Sequence, residues 1–157
     1  MNKILLCLFF YIGTYSLIGQ SVNISNTTLN TCDATIYDDG GPNGNYTEND
    51  YTMTVCANTG TDLYFVVNSL SLGSNVFDEN DFLYIYEGVG TGGNLLFNSE
   101  TDPINTILST TNTCITINIQ TNPHVFNTNV AAGFDITISC TLPETCYDGI
   151  LNNGEVQ

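Results

Sequence analysis

Ile115, Ile117 and Ile119 alternate with Thr116, Asn118 and Gln120. This strict two-residue period belongs to a β-strand with one face buried and the other polar. The period returns in 51–55, where Tyr51, Met53 and Val55 fall on one side, and in Phe134, Ile136 and Ile138 against Asp135, Thr137 and Ser139. A longer apolar run spans 62–72 with Leu63, Phe65 and Val67, and another spans 82–86 with Leu83 and Ile85 on one face. Shorter strand candidates occupy 94–97 and 104–108, and no segment sustains the 3.6-residue period of a helix. Between the runs lie turn clusters: Asp39-Gly40-Gly41-Pro42-Asn43-Gly44, Glu87-Gly88, and Gly90-Thr91-Gly92-Gly93. Many short strands joined by such turns predict an all-β sandwich or barrel.

The first nineteen residues stand apart from this pattern. Lys3 precedes an almost uninterrupted apolar stretch, 4–18, and Gly19 is a small residue suited to peptidase cleavage. Residues 1–19 therefore read as a secretory signal peptide, and Gln20 becomes the new N-terminus. No later stretch is long and apolar enough to span a bilayer, so no membrane insertion is expected after signal removal. Residues 20–31, rich in Asn and Thr, read as a linker or a first edge strand.

Lys3 is the only lysine or arginine, whereas sixteen Asp and Glu are present. The exported part thus carries negative charge without a compensating basic side chain. Nucleic acids and anionic membranes, which demand clustered cations, are excluded as partners. The charge suits solubility outside the cell and tolerates cation binding.

Cysteine usage agrees with export. Removal of Cys7 leaves Cys32, Cys56, Cys114, Cys140 and Cys146, none in C-x-x-C spacing, as expected of disulfides in an oxidising compartment. Cys32 and Cys56 bracket the first glycine-rich hairpin, which suggests the pair Cys32–Cys56. Cys114 begins one strand and Cys140 ends the last, which suggests Cys114–Cys140 if those strands pair antiparallel. The two differ in parity, Cys114 going with the outward Thr116 and Cys140 with the inward Ile138, so a bulge or strand end must bring them together. Cys146 is left over and starts a turn-rich segment; residues 141–157 read as the beginning of a truncated unit whose partner cysteine lies beyond Gln157.

Three motifs occur in a recognisable order. Cys32, Tyr37-Asp38-Asp39-Gly40-Gly41, Gly44-Asn45-Tyr46 and Cys56 come first; Asp81-Phe82-Leu83-Tyr84-Ile85-Tyr86-Glu87-Gly88 follows; Gly133-Phe134 and Ile138-Ser139-Cys140 close the set. Residues 32–140 resemble a CUB domain of the bacterial, Bacteroidetes-like secreted type. The resemblance implies a jelly-roll-like β-sandwich of two antiparallel sheets. It also implies a non-catalytic module that contacts an extracellular protein or glycan, often as an accessory to a larger exported protein. The tail from Cys146 resembles a short unit of large Bacteroidetes exported proteins. The chain departs from the family in lacking the tryptophan that many members carry after the second cysteine.

Many CUB domains bind calcium through a Glu, two Asp and a neighbouring polar residue. Asp81 matches one of these Asp, the second falls at Asn122, and the Glu has no counterpart near 71–73. Asp78 and Glu79 offer replacement oxygens beside Asp81. The candidate calcium set is thus Asp81, Asp78, Glu79 and Asn122, short of the six to eight oxygens the ion prefers.

No catalytic residues are assigned. His124 is the sole histidine and sits beside Pro123 in a loop, the cysteines are expected to be oxidised, and nothing selects two carboxylates for glycoside hydrolysis. Tyr37, Tyr46, Tyr84 and Tyr86 offer a rival reading, a sugar-stacking surface of a carbohydrate-binding module. Against it, the strand 82–86 is apolar on both faces and reads as buried on both. A second rival is the appended fragment of a secreted peptidase or hydrolase.

Overall fold

The computed structural model describes residues 19–58, 62–73, 80–122 and 131–141. Apart from Gly19 and Thr141, the signal-peptide and tail expectations lie outside the described residues, as do Asp78, Glu79, His124 and Cys146. Ten strands run in chain order: β1 (Gln20–Asn23), β2 (Thr28–Asn30), β3 (Asp33–Tyr37), β4 (Tyr51–Cys56), β5 (Leu63–Ser71), β6 (Phe82–Glu87), β7 (Leu95–Asn98), β8 (Ile107–Thr110), β9 (Cys114–Gln120) and β10 (Gly133–Ser139). They form two five-stranded sheets, ordered β1-β3-β10-β5-β8 and β2-β4-β9-β6-β7. The expected sandwich is present.

The alternation predicts the inner faces. Met53 and Val55 of β4, Leu63, Phe65 and Val67 of β5, Leu83 and Ile85 of β6, the three isoleucines of β9, and Phe134, Ile136 and Ile138 of β10 are all buried in one core. Each such side chain stabilises by about 1.5–3 kcal/mol relative to exposure. Two shorter runs shift: β7 begins at Leu95 and β8 at Ile107, with Ile104 left exposed ahead of it.

The segment 20–31 contains the first edge strand, β1, and a second one, β2. It supplies an edge to each sheet, β1 pairing parallel with β3 and β2 parallel with β4. The sheets are therefore mixed at these edges and antiparallel elsewhere.

The disulfides correct the expected pairings. Cys32 joins Cys140 and Cys56 joins Cys114, instead of Cys32–Cys56 and Cys114–Cys140. The reason is topological. The glycine-rich segment after Tyr37 is not a hairpin turn: it carries the chain from β3 in one sheet to β4 in the other. Likewise β9 and β10 lie in different sheets. Within the second sheet, β4 and β9 are antiparallel with Cys56 directly opposite Cys114. Within the first, Ser139 opposes Asp33 and the Cys140 N–H donates to the Cys32 carbonyl at 3.3 Å. Each bridge thus joins strands of one sheet, and the parity conflict between Cys114 and Cys140 disappears.

Both bridges sit at the end of the sandwich where β3 begins and β10 finishes. The opposite end gathers the segments that follow β3, β5, β7 and β9. That end holds the candidate site.

Candidate functional site

Asp81 precedes β6 and is 3% exposed. Its side chain accepts a hydrogen bond from the Tyr46 hydroxyl and another, at 2.8 Å, from the Asn122 backbone N–H, both from distant segments. Its own N–H donates to the Gly73 carbonyl at 3.0 Å. The Tyr46 hydroxyl also accepts from the Gly73 N–H at 2.5 Å, which fixes its proton toward Asp81. Asn122 turns its side-chain NH2 onto the Asn80 carbonyl at 2.6 Å. Three segments widely separated in sequence therefore converge on one carboxylate. Burial, and then the hydrogen bond to Asp81, push the Tyr46 hydroxyl well above its ordinary pKa, so it stays a donor at any physiological pH. An open cleft of about 380 Å³ lies alongside, with Leu70, Leu72, Asn80, Asp81 and Glu100 among its walls.

The expected calcium ligands meet this geometry unevenly. Asp81 and Asn122 are brought together, but by a direct hydrogen bond from the Asn122 backbone rather than by aiming two side-chain oxygens at a common point. Both Asp81 oxygens already accept hydrogen bonds. Among the described residues no cluster of three or more His, Cys, Asp or Glu is arranged to hold a metal ion. One carboxylate falls short of the oxygen shell calcium prefers, so the described residues alone do not fit the ion.

A second carboxylate, Asp38, organises the same end. It is 1% exposed and accepts from the Gly40 N–H at 2.8 Å and the Phe134 N–H at 3.0 Å. Burial dominates and raises its pKa. Gly133 lies against it with φ of +85°, and a Cβ there would come within 1.9 Å of the Asp38 Oδ2. Asp39 next door accepts from the Thr47 N–H at 2.9 Å, from the Thr47 hydroxyl and from the Tyr51 hydroxyl at 3.2 Å. The Tyr37–Tyr46 motif is thus a carboxylate-stitched loop, and sequence reasoning assigned none of its acids a role.

The tyrosines expected to form one stacking surface are dispersed. Tyr46 belongs to the Asp81 cluster and Tyr37 to the first sheet. Tyr84 and Tyr86 remain together on β6 and are joined by Phe82. Ring centroids stand 5.9 Å apart for Phe82–Tyr84 and 6.2 Å for Tyr84–Tyr86. This ladder lies on the face of β6 opposite the core, half-buried, so the expected two-sided burial is only partial.

Solved structures share this architecture. The calcium-bound CUB2 domain of MASP-1 matches with a TM-score of 0.54 at 16% identity, covering 73% of this chain and 98% of that one. The CUB1-EGF-CUB2 domains of rat MASP-1 match at 0.55 and 15% identity, covering 82% of this chain and 47% of that one. The full extracellular region of zebrafish Gpr126/Adgrg6 matches at 0.51 and 14% identity, covering 73% and 14%. The fold is that of a CUB domain. No protein-family model matches the chain, and no curated protein does. At such identities the CUB likeness establishes the architecture alone.

Proposed function

We propose that this chain is an exported, non-catalytic recognition module, the accessory part of a larger protein, that binds an extracellular protein or glycan. The observation that carries the reading is the Asp81 cluster. A buried carboxylate is held by Tyr46 and Asn122 beside an open cleft, at the sandwich end remote from both disulfides. The ends of the β-unit, at Gln20 and Ser139, leave from the disulfide side. Flanking sequence therefore attaches away from the Asp81 end, as suits a display module. Two disulfides, in a chain whose residues 1–19 read as a secretory leader, support export, and no helix among the described residues is long and apolar enough to cross a membrane.

Calcium belongs to this proposal through Asp81 and Asn122, completed by Asp78 and Glu79. The calcium-bound MASP-1 domain supports it; the hydrogen-bonded state of Asp81 weighs against it. A calorimetric calcium titration decides, with Asp81→Ala as control. Heat and a thermal shift that vanish in the variant support the site, and absence of both in the native chain retires it. Glycan-array screening separates a carbohydrate-binding module from a protein binder.

A further inference from the structure

We infer that the aromatic ladder on the outer face of the second sheet docks an extended, arginine- or lysine-bearing segment of a partner protein. The inference rests on the reading of the chain as a recognition module, but uses the outer face of the second sheet, which adjoins the Asp81 cleft at Glu100, and needs no calcium.

The ladder's position comes from strand register. Phe82, Tyr84 and Tyr86 face away from the core on β6, and Tyr84 lies opposite Asn98 of β7 and Asn118 of β9. Ring spacings of 5.9 and 6.2 Å come close to the repeat of every second residue in an extended chain, about 6.6 Å. A strand laid along the ladder sets alternate side chains over successive rings.

Charge selects the occupant. No lysine or arginine follows Lys3, so every formal side-chain charge on the exported chain is an acid, His124 aside. Glu100 stands at the edge of the ladder. Its N–H donates at 3.0 Å to the side chain of Asn98, the residue paired with Tyr84. Its charge reaches the Tyr84 hydroxyl, whose pKa is raised mainly by burial and then by Glu100. Aromatic rings with a carboxylate alongside attract guanidinium and ammonium groups. A second copy of this chain, equally acidic, is repelled.

The neighbouring polar groups argue against a sugar. A glycan needs hydrogen-bonding arms aimed outward. Here the Asn118 NH2 is spent on the Tyr51 carbonyl and the Thr52 hydroxyl, and the Gln120 NH2 donates to Asn118. The Thr116 hydroxyl donates to the Gly88 carbonyl and accepts from the Gly90 N–H. These groups satisfy one another within the sheet. A cation over a ring asks nothing of them.

The test is a titration of the isotope-labelled exported chain, with a chelator present, using a peptide of alternating arginine and threonine. A matching citrulline peptide and a neutral hexasaccharide serve as comparisons. Amide shifts are expected on β6, β7 and β9 with the arginine peptide alone. Tyr84→Ser is expected to weaken binding about fivefold or more, whereas Asp62→Asn, which removes an exposed charge elsewhere, changes it less than about twofold. Shifts scattered over the acidic surface, equal losses in the two variants, or ladder shifts caused by the hexasaccharide or citrulline peptide overturn the inference. Asp81→Ala is expected to leave this binding intact, so failure of the calcium site and failure of the ladder are separable.

Discussion

The two ends of the sandwich are fastened by different chemistry. At one end Cys32–Cys140 and Cys56–Cys114 lock neighbouring strands covalently. At the other, Asp38 and Asp81 gather the segments after β3, β5 and β9 by hydrogen bonds to backbone N–H groups and the Tyr46 hydroxyl. The covalent fastening answers to redox conditions, and the carboxylate fastening to pH. Hydrogen bonds to a carboxylate can exchange for bonds to a ligand and a disulfide cannot, which suits the recognition role proposed for the carboxylate end.

The largest expected effect follows from cutting the longer bridge. Cys32 and Cys140 are 108 residues apart, and Cys56 and Cys114 are 58 apart. In the chain-entropy model, replacing each pair by serine costs about 5 and about 4 kcal/mol respectively. Urea denaturation of the two double variants should reproduce that order. At the opposite end, Gly133→Ala ranks next, at about 3 kcal/mol, because it combines a positive φ with a Cβ driven into the Asp38 carboxylate. If Gly133→Ala costs more than either bridge, the carboxylate end carries the fold and the contrast is inverted.

Asp81→Ala strips partners from the Tyr46 hydroxyl and the Asn122 N–H, and should cost about 1–3 kcal/mol. Tyr46→Phe removes a donor to Asp81 and the acceptor for the Gly73 N–H, and should cost a similar amount. A double-mutant cycle sharpens the comparison. The coupling between positions 46 and 81 should be clearly above zero yet smaller than either single loss, since they share one hydrogen bond and each variant loses a second partner besides. A coupling near zero would mean that the convergence on Asp81 contributes nothing to holding the loops together.

Legibility in the sequence followed the same division. The frame was readable because a two-residue period reports directly which side chains face the core, and β4, β5, β6, β9 and β10 bury the residues it picks out. Disulfide pairing was not readable. Cys32 and Cys56 looked like the ends of one hairpin, yet whether a glycine-rich segment turns back or crosses to another sheet depends on tertiary packing. The site was legible in part: Asp81 and Asn122 were singled out by resemblance and do meet. Tyr46 lies 35 residues before Asp81, and no local pattern links them. Asp38 was hidden among many acids, since burial of a carboxylate depends on the N–H groups that receive it. The available clue was Gly133 ahead of an apolar strand, a position where the chain takes a positive φ.

The smallest expected effect is also the most discriminating, because it sets one carboxylate from each end against the other. At the loop end, burial raises the pKa of Asp38 above its ordinary 3.8. The folded state then holds that proton more readily than the unfolded chain, so Asp38 favours folding below its raised pKa and costs stability as the pH climbs through it. At the disulfide end, the half-buried Glu87 accepts from the Thr110 hydroxyl at 2.8 Å and the Asn94 side chain at 2.9 Å, and these bonds lower its pKa below 4.5. Its contribution is therefore present above the unfolded value and is lost as the pH falls through the depressed one. Melting temperatures of native protein, Asp38→Asn and Glu87→Gln between about pH 7 and pH 3 test both signs. On acidification the native chain should gain on Asp38→Asn and lose its advantage over Glu87→Gln. Parallel curves would show that burial of Asp38 carries no proton linkage, and the two ends would then differ in covalency alone.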